Sequence, residues 1–467
     1  MIKKIFQFIV LFSIILLSFS VRKKNYSEIP IPGQSVDEYS YSWVGLSLLK
    51  TGVPVGISGL QGNKFSYPKY VNVDRFFQTT ATGDPLTINY PWLDHPPLLG
   101  IITGAYAHFA GAQVFEDTTA LFIRRPIIVI GTISVALAML FAYLNYGFIS
   151  SVLVGLIYGT TPLVVISSRM IQAENAVIPC LLSCLICLSL YFKTKKDYWL
   201  IITSIIAGLA TLFKLSGFVC HLFVLFSLLA YYKKINKHFW QDFCYFLIIS
   251  LPLTFLFVIY GAAYDIQTFK NIVLSNYNRF YGIGPSLILD LIRNQRLTQH
   301  KFLPEVWIIL SWITFFVWTF KKHKKIVDQL PIFALGSYLI VYVFFGSQPY
   351  GWYAFPFWPF LFIILARIIS LSFTKNKYFF ISFFISLCIF GENVSRLVAL
   401  DHFQKYATFW RLGTSIFIFL LITSEILKIK TKYIRRIILF LFWLILFYTN
   451  YLYLSRINID FWWQNIS

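Results

Sequence analysis

The chain has 467 residues, of which 58% are hydrophobic and only 13% are charged. Soluble domains contain about 45–50% apolar and about 25% charged residues, so this composition excludes an ordinary soluble protein of two or three domains. Aromatic residues make up 19%, and the mean hydropathy is +0.68. We therefore predict an all-α integral membrane protein with many spanning helices.

The formal net charge is +21, with 40 Lys and Arg against 19 Asp and Glu. A basic balance can indicate nucleic-acid binding. Here, however, the cations stand in short clusters between apolar runs, which is typical of cytoplasmic loops under the positive-inside rule. We expect membrane lipids as partners and no nucleic acid. The six cysteines all lie in apolar segments, which favours buried free thiols.

The N-terminal segment has two lysines followed by an apolar run from Ile5 to Phe19. A cleaved signal peptide is one interpretation of such a segment. The run is followed by Val21-Arg22-Lys23-Lys24 instead of a small-residue cleavage site. We therefore expect an uncleaved first span with its N-terminus in the cytoplasm.

Apolar runs near ~20 residues predict membrane spans, and about thirteen can be counted in this chain. The segment Pro96–Gly111 is ambiguous, because it is short and contains His108. Five basic clusters fall on the cytoplasmic side only if this segment does not cross, so we predict a re-entrant or interfacial helix there. The first outer loop then covers residues 22–124 and begins with a helix over Asp37–Lys50, and the C-terminus lies outside. The predicted spans include Phe148–Ser167, Tyr198–Phe213 and Phe243–Tyr260, and a second outer loop is predicted from Tyr264 to Lys301.

Charged groups at membrane depth are costly, so each one needs a reason. The predicted topology places the informative ones at one face, the outer one. Asp37-Glu38 opens a helix, where carboxylates act as caps, but it is also a candidate general base. Asp94-His95 precedes Pro96-Pro97 and has three interpretations: orienting the base, contacting substrate or binding a metal. A divalent metal on Asp37, Glu38, Asp94 and His95 is chemically feasible, although no ligand spacing fixes it.

The cations of this face also have two interpretations. They either reach toward lipid headgroups or converge with acidic groups in a phosphate pocket. The cations are Arg124, Arg125, Arg169 and Lys214, and Glu174 is the acidic residue that accompanies them.

Six segments resemble, in the same order, the motifs of GT-C class integral-membrane glycosyltransferases. The likeness is greatest to the branch of protein O-mannosyltransferases, aminoarabinose transferases and RgtA-like enzymes. Glu174 stands where this branch usually has Asp, and Trp352 stands where Arg or His is common. The segments are Asp37-Glu38-Tyr39, Leu93-Asp94-His95-Pro96-Pro97-Leu98, Leu121 to Pro126, Ser168-Arg169 to Glu174, Gly208 to Lys214, and Trp352-Tyr353 to Pro359.

The resemblance implies a GT-C catalytic module over residues 1–370, followed by C-terminal helices of unassigned role over 371–467. It implies transfer of a monosaccharide, with inversion, from a polyprenyl-phosphate donor to a lipid, glycan or protein acceptor at the outer face. Asp37 would be the general base and Glu38 its partner. The implied substrate-binding residues are Asp94, His95, Arg124, Arg125, Arg169, Glu174, Lys214 and Tyr353.

Two other functions also place ionisable groups in a membrane protein. A transporter or flippase of a charged lipid or solute is the main alternative, although such proteins usually show internal repeats and midplane charges. A ligase or polymerase of whole glycans would share the outer-face site. Because the chain lacks a large soluble domain, we expect a bacterial inner membrane, with the site facing the periplasm or the cell exterior.

Overall fold

The computed structural model describes most of the chain, and every contact given below is between described residues. These are residues 2–33, 36–58, 64–66, 87–89, 91–277, 291–292, 295–298, 301–321, 323, 325–345, 350–375, 379–401, 407–426, 432–459 and 462.

The described chain is mainly α-helical, as predicted. The helices are α1 (Ile2–Lys23), α2 (Val36–Thr51), α3 (Leu98–Phe109), α4 (Ala120–Ile123), α5 (Arg125–Tyr146), α6 (Phe148–Thr160), α7 (Pro162–Ser167), α8 (Ala173–Thr194), α9 (Tyr198–Phe213), α10 (Val219–Tyr232), α11 (Lys237–Tyr277), α12 (Val306–Thr319), α13 (Leu330–Phe345), α14 (Trp358–Lys375), α15 (Phe379–Asp401), α16 (Ala407–Ile426) and α17 (Lys432–Arg456).

Seven helical segments of the described chain are long and apolar enough to cross a membrane. Five shorter apolar helices of 10–17 residues accompany them. The count of thirteen spans therefore stays a prediction. The seven long segments are Ile2–Lys23, Ala120–Tyr146, Ala173–Thr194, Leu215–Tyr232, Lys237–Asn276, Gly351–Thr374 and Ile381–Leu400.

The path between α5 and α8 shows how local sequence divides the apolar runs. Gly147 ends α5 with a φ of 93°, a left-handed conformation that glycine adopts without a steric cost. The apolar run Phe148–Ser167, predicted as one span, is two helices, because Thr161 is extended (φ −61°, ψ 120°) and Pro162 begins α7. This arrangement places the Arg169 turn directly after a short helix.

Helix α11 is longer than the predicted span Phe243–Tyr260, and the predicted second outer loop from Tyr264 begins as a helix. Asp265 is extended (φ −167°, ψ 105°) and divides α11 into two segments. Its Oδ1 accepts the backbone N–H groups of Gln267 and Thr268 at 2.9 and 3.0 Å, which is N-cap geometry. A cap therefore starts a new helix where the sequence predicted a loop.

Helix α3 corresponds to the ambiguous segment Pro96–Gly111. Its 12 residues are about 18 Å long at 1.5 Å per residue, well short of a ~30 Å bilayer core. It packs backbone to backbone against α2 through glycines. A methyl group on Gly45 would lie 1.7 Å from the carbonyl oxygen of Gly100, and one on Gly104 would lie 2.3 Å from the backbone of Gly45 and Leu46. Only glycine permits this approach, which fixes α3 on α2.

We expect Gly104→Ala to separate α2 from α3 and to destabilise the protein by about 1–3 kcal/mol, because an inserted methyl meets backbone that cannot give way. Thermal unfolding in detergent measures the change. Gly336→Ala is the matched control, since a methyl at Gly336 in α13 meets no atom within 4 Å. Equal unfolding temperatures for the two variants would contradict the close packing.

A small sheet in the first loop was not predicted. Strands β1 (Gly56–Ile57), β2 (Lys64–Ser66) and β3 (Thr87–Asn89) are antiparallel in the order β1-β3-β2. Ile57 accepts hydrogen bonds from Trp92 Nε1 at 2.9 Å and from the Ser40 hydroxyl at 3.0 Å. The first strand thus joins α2 to the segment that carries Asp94 and His95.

Helix α17 packs on α15, another of the C-terminal helices, and on α6 and α1 in the first half of the chain. A buried ion-pair cluster lies near this junction. Arg396 on α15 binds Glu305 at 3.1 Å and Glu392 at 3.0 Å, and Glu305 also accepts the Leu163 N–H of α7 at 3.4 Å. The C-terminal helices are therefore tied to α7, the helix that precedes the Arg169 turn.

Candidate active site

The first turn of α2 carries the two candidate catalytic carboxylates. Asp37 is partly buried, whereas Glu38 is only 1% exposed. Asp37 and Tyr41 are four residues apart and therefore lie on the same face of the helix. Asp37 interacts electrostatically with both Tyr41 and Lys214. Asp37 thus lies near Lys214 at the end of α9, and the Glu38 side chain is buried in the protein.

Glu38 forms a bidentate ion pair with Arg124. Arg124 Nε donates to Oε1 at 2.6 Å and Nη2 donates to Oε2 at 2.8 Å, and neither side chain is more than 1% exposed. Arg124 also donates to the carbonyl oxygens of Tyr26 and Pro30, at 2.8 and 2.6 Å. The Ile171 N–H donates to Glu38 Oε1 at 3.3 Å. The pair therefore fixes α2, the loop after α1 and the Arg169 turn to one another.

We expect Glu38→Gln to destabilise the protein by about 3–5 kcal/mol, because Arg124 would become a buried charge without its counter-ion. Differential scanning fluorimetry in detergent measures the shift. Glu28→Gln is the control, since Glu28 is exposed and such changes usually fall within about 0.5 kcal/mol. A shift no larger than that of Glu28→Gln would show that the Glu38–Arg124 ion pair does not stabilise the protein.

Arg169 is fully buried and is bonded to backbone. It donates to the carbonyl oxygens of Arg22, Ile29 and Val21 at 3.1, 3.1 and 2.8 Å. Arg22 itself is fully buried and donates to the carbonyl oxygens of Gly159 and Tyr158, both at 3.2 Å. These two arginines hold the C-terminal end of α1 against α6 and the turn before α8.

Arg125, in contrast, is exposed. Its Nε donates to the Tyr26 hydroxyl at 2.9 Å, and Nη1 donates to the Tyr106 hydroxyl at 3.3 Å. These contacts tie the start of α5 to α3. Adjacent arginines at this helix start therefore have different surroundings, one buried on Glu38 and one at the surface.

Lys214, Glu174 and Tyr353 meet in one group. Lys214 Nζ donates to Glu174 Oε1 at 2.5 Å and lies 4.6 Å from the centre of the Tyr353 ring. The side chains of Lys214 and Glu174 are 8% and 0% exposed. Sequence alone offered no counter-ion for Lys214, and the fold supplies one from 40 residues away. The end of α9, the start of α8 and the 3₁₀ segment Gly351–Phe357 converge here.

Asp94 and His95 also lie near Tyr41. The Asp94 Oδ2 atom accepts the Ser58 hydroxyl at 2.5 Å. The His95 ring stacks on Tyr41 with centroids 5.6 Å apart, and Trp92 meets both rings edge-on. Asp94 interacts electrostatically with Tyr41, as do Glu174 and Tyr353. The structure therefore gathers Asp37, Asp94, His95, Glu174, Lys214 and Tyr353 around one tyrosine.

The possible metal site was tested against the same geometry. Within the described ranges, no three His, Cys, Asp or Glu side chains are grouped so that they could hold a metal ion. Asp37, Asp94 and His95 therefore do not form a ligand set in this arrangement.

Tyr41 is the residue that the sequence analysis missed. Burial raises the pKa of its hydroxyl well above the usual range, and the nearby Asp37, Glu174 and Asp94 carboxyl groups raise it further. The hydroxyl is therefore neutral and protonated at physiological pH. The sequence places Tyr41 four residues after Asp37 on a predicted helix, and therefore on the same face. Its uncharged side chain does not stand out in a sequence that is 19% aromatic.

Three comparisons with known proteins bear on this arrangement. The family model "Dolichyl-phosphate-mannose-protein mannosyltransferase" matches residues 94–260. No curated protein sequence matches the chain. Among solved structures, ArnT from Cupriavidus metallidurans bound to undecaprenyl phosphate matches with a TM-score of 0.55 and 12% identity, over 97% of this chain and 77% of ArnT. ArnT without ligand gives 0.56 and 13%, over 96% and 76%.

The archaeal oligosaccharyltransferase AglB from Archaeoglobus fulgidus, in complex with an inhibitory peptide and a dolichol-phosphate, has a TM-score of 0.53 at 12% identity. The match covers 97% of this chain and 56% of AglB.

The chain has the GT-C fold.

The family model and the structural matches together support a GT-C class membrane glycosyltransferase, as the sequence resemblance predicted. The matched range of the family model contains Asp94, Arg124, Arg169, Glu174 and Lys214. Asp37 and Tyr353 lie outside that range, and the GT-C fold brings both to the same group of residues.

Proposed function

We propose that this GT-C protein transfers a monosaccharide from a polyprenyl-phosphate donor to an acceptor hydroxyl at the outer face of a bacterial inner membrane. The observation that carries the proposal is the grouping of Lys214, Glu174 and Tyr353 opposite Asp37, at the ends of α8 and α9. One cation beside several carboxylates suits a reaction that needs both a phosphate contact and a base. Both ArnT and AglB were solved with a polyprenyl or dolichyl phosphate, which supports a lipid-phosphate donor here.

In the proposed reaction, Asp37 accepts the proton of the acceptor hydroxyl as its oxygen attacks the anomeric carbon. The bond from that carbon to the phosphate oxygen breaks, and its electron pair leaves with the polyprenyl phosphate. Attack from the face opposite the phosphate inverts the configuration. Lys214 stabilises the negative charge that develops on the leaving phosphate.

The remaining predicted residues act around these two. Glu38, Arg124 and Arg169 hold α2 and the turn before α8 in place through their buried bonds. Asp94 and His95 position the sugar, and Tyr353 packs against the Lys214 ammonium group. Arg125, which is exposed at the same helix start, contributes positive charge at the membrane surface. Residues 1–370 form the catalytic module in this proposal, and the C-terminal helices brace it through Arg396.

The proposal is tested by incubating the purified protein in liposomes with radiolabelled polyprenyl-phosphate monosaccharides and lipid, glycan or peptide acceptors. Release of free polyprenyl phosphate together with labelled acceptor is the expected result. Movement of label across the bilayer without its release would instead support a transporter or flippase. Activity only with polyprenyl-linked oligosaccharides would support a ligase.

A further inference from the structure

Two buried polar atoms face the proposed site, and the described residues provide no hydrogen-bond partner for either. They are the Tyr41 hydroxyl, on a side chain that is 1% exposed, and Glu174 Oε2, on a side chain that is fully buried. Buried polar groups in folded proteins are nearly always bonded, because leaving one unsatisfied is costly. Each of the two atoms can therefore bond to a ligand.

The two atoms belong to one cluster of side chains. Tyr41 belongs to the same buried apolar cluster as Ile171, Ala173 and Ala176, which flank Glu174 in the chain. Glu174 and Tyr41 also interact electrostatically. The Glu174 Oε1 atom is occupied by Lys214, which leaves Oε2 as the carboxylate oxygen that can accept a further hydrogen bond.

The Tyr41 ring is held rigidly, so its hydroxyl has a defined position. One face stacks on His95 at 5.6 Å with the planes 18° apart, and Trp92 meets the ring edge-on at 5.9 Å. The Tyr41 carbonyl oxygen lies 2.8 Å from where a methyl on Gly100 would stand, so the backbone of α2 is fixed against α3. A preorganised donor of this kind is what a specific ligand contact requires.

The charges around Tyr41 identify the chemistry of the ligand. Asp37, Glu174 and Asp94 all act on its hydroxyl, so an anionic phosphate at this point would be repelled. A sugar hydroxyl is neutral, and it can accept one hydrogen bond while it donates another. It matches a pair that consists of one donor, Tyr41, and one acceptor, Glu174 Oε2.

We propose that Tyr41 and Glu174 Oε2 form a subsite for one hydroxyl group of the donor sugar. The Tyr41 hydroxyl donates to the sugar oxygen, and Glu174 Oε2 accepts the hydrogen of that sugar hydroxyl. The subsite rests on the proposed function, because it assumes a sugar-bearing donor whose phosphate lies at Lys214. In this arrangement Lys214 binds the phosphate of the donor, and Glu174 binds its sugar.

The test compares binding of undecaprenyl phosphate with binding of undecaprenyl-phosphate mannose, glucose, galactose and arabinose. In the wild type, at least one sugar-bearing lipid is expected to bind more tightly than the bare carrier. Tyr41→Phe keeps the ring and removes the hydroxyl, so it should weaken binding of that lipid about tenfold and leave bare-carrier affinity unchanged. A monodeoxy donor that lacks the contacted hydroxyl should bind both proteins equally.

Tyr146→Phe is the matched control, because it removes a hydroxyl of a partly buried tyrosine that donates to the Val327 carbonyl oxygen at 3.2 Å, at the other end of α5 from Arg125. It should change neither affinity. The subsite is wrong if Tyr41→Phe leaves the sugar-dependent gain intact, weakens bare-carrier binding equally, or if no sugar improves on the bare carrier. Failure of the wild type to bind undecaprenyl phosphate at all would instead overturn the proposed function, and the subsite with it.

Discussion

Asp37→Asn is expected to lower sugar transfer by about 10²–10⁴-fold, the usual cost of losing a general base. Asparagine keeps the size and hydrogen-bonding capacity of the side chain at the start of α2, and it ranks with aspartate as a helix cap. The fold and the binding of undecaprenyl phosphate should therefore be retained. The rate of polyprenyl-phosphate release from a labelled donor measures the effect.

The control for this variant is Asp117→Asn in the same loop. The Asp117 carboxylate accepts the backbone N–H groups of Gln113 and Val114 at 2.7 and 3.0 Å, and these bonds lower its pKa. It is a structural carboxylate away from the α8–α9 group, so its variant should turn over donor normally. Equal turnover by Asp37→Asn and the wild type would remove Asp37 from the mechanism.

Lys214→Gln is expected to weaken binding of undecaprenyl phosphate about 10–100-fold, because a charge-assisted hydrogen bond contributes about 1.5–3 kcal/mol. Glutamine can still donate to Glu174, whereas alanine would leave the buried carboxylate with no donor at all. Affinity for the lipid is measured by native mass spectrometry or by thermal shift. Lys50→Gln is the control, since Lys50 is an exposed lysine that binds Gln113.

Replacing Glu174, the other partner of the buried ion pair, should change carrier affinity in the opposite direction. Glu174 competes with phosphate for the Lys214 ammonium, so Glu174→Gln should bind the bare carrier more tightly than the wild type does. Its sugar transfer should nevertheless fall, because the amide nitrogen that replaces Oε2 cannot accept a hydrogen bond. If Glu174→Gln and Lys214→Gln changed carrier affinity in the same direction, Lys214 would not be the phosphate contact.

The first and last residues of helices bounded by charged side chains could be predicted from the sequence to within one residue. Helix α9 has the predicted bounds Tyr198–Phe213, because Asp197 and Lys214 flank a run that contains no charged residue. Helix α2 differs from its predicted bounds by one residue at each end. The break between α6 and α7 at Pro162 could also have been predicted, since proline lacks the N–H that continues a helix. The three strands could not be predicted, because two or three residues are too few to show an alternation of apolar and polar side chains.

Pairing within the site could not be predicted from spacing. Their charge identifies Glu38, Arg124, Glu174 and Lys214 as candidate site residues. Glu38 and Arg124, however, are 86 residues apart in the sequence, and Glu174 and Lys214 are 40 apart. Which carboxylate neutralises which cation depends on the packing of four helices. Arg169 shows the same limit, because its partners are backbone carbonyl oxygens that carry no mark in the sequence.

The glycine contact between α2 and α3 makes one wall of the site a single rigid unit. Asp37 and Tyr41 belong to α2, and Asp94 and His95 immediately precede α3, so they are held by two backbones that meet without intervening side chains. On the opposite wall, Glu174, Lys214 and Tyr353 come from three other segments and meet through side-chain contacts, an ion pair and a ring contact. In the proposed reaction, a donor phosphate at Lys214 therefore competes only with side-chain contacts, while the backbone that carries Asp37 stays in place.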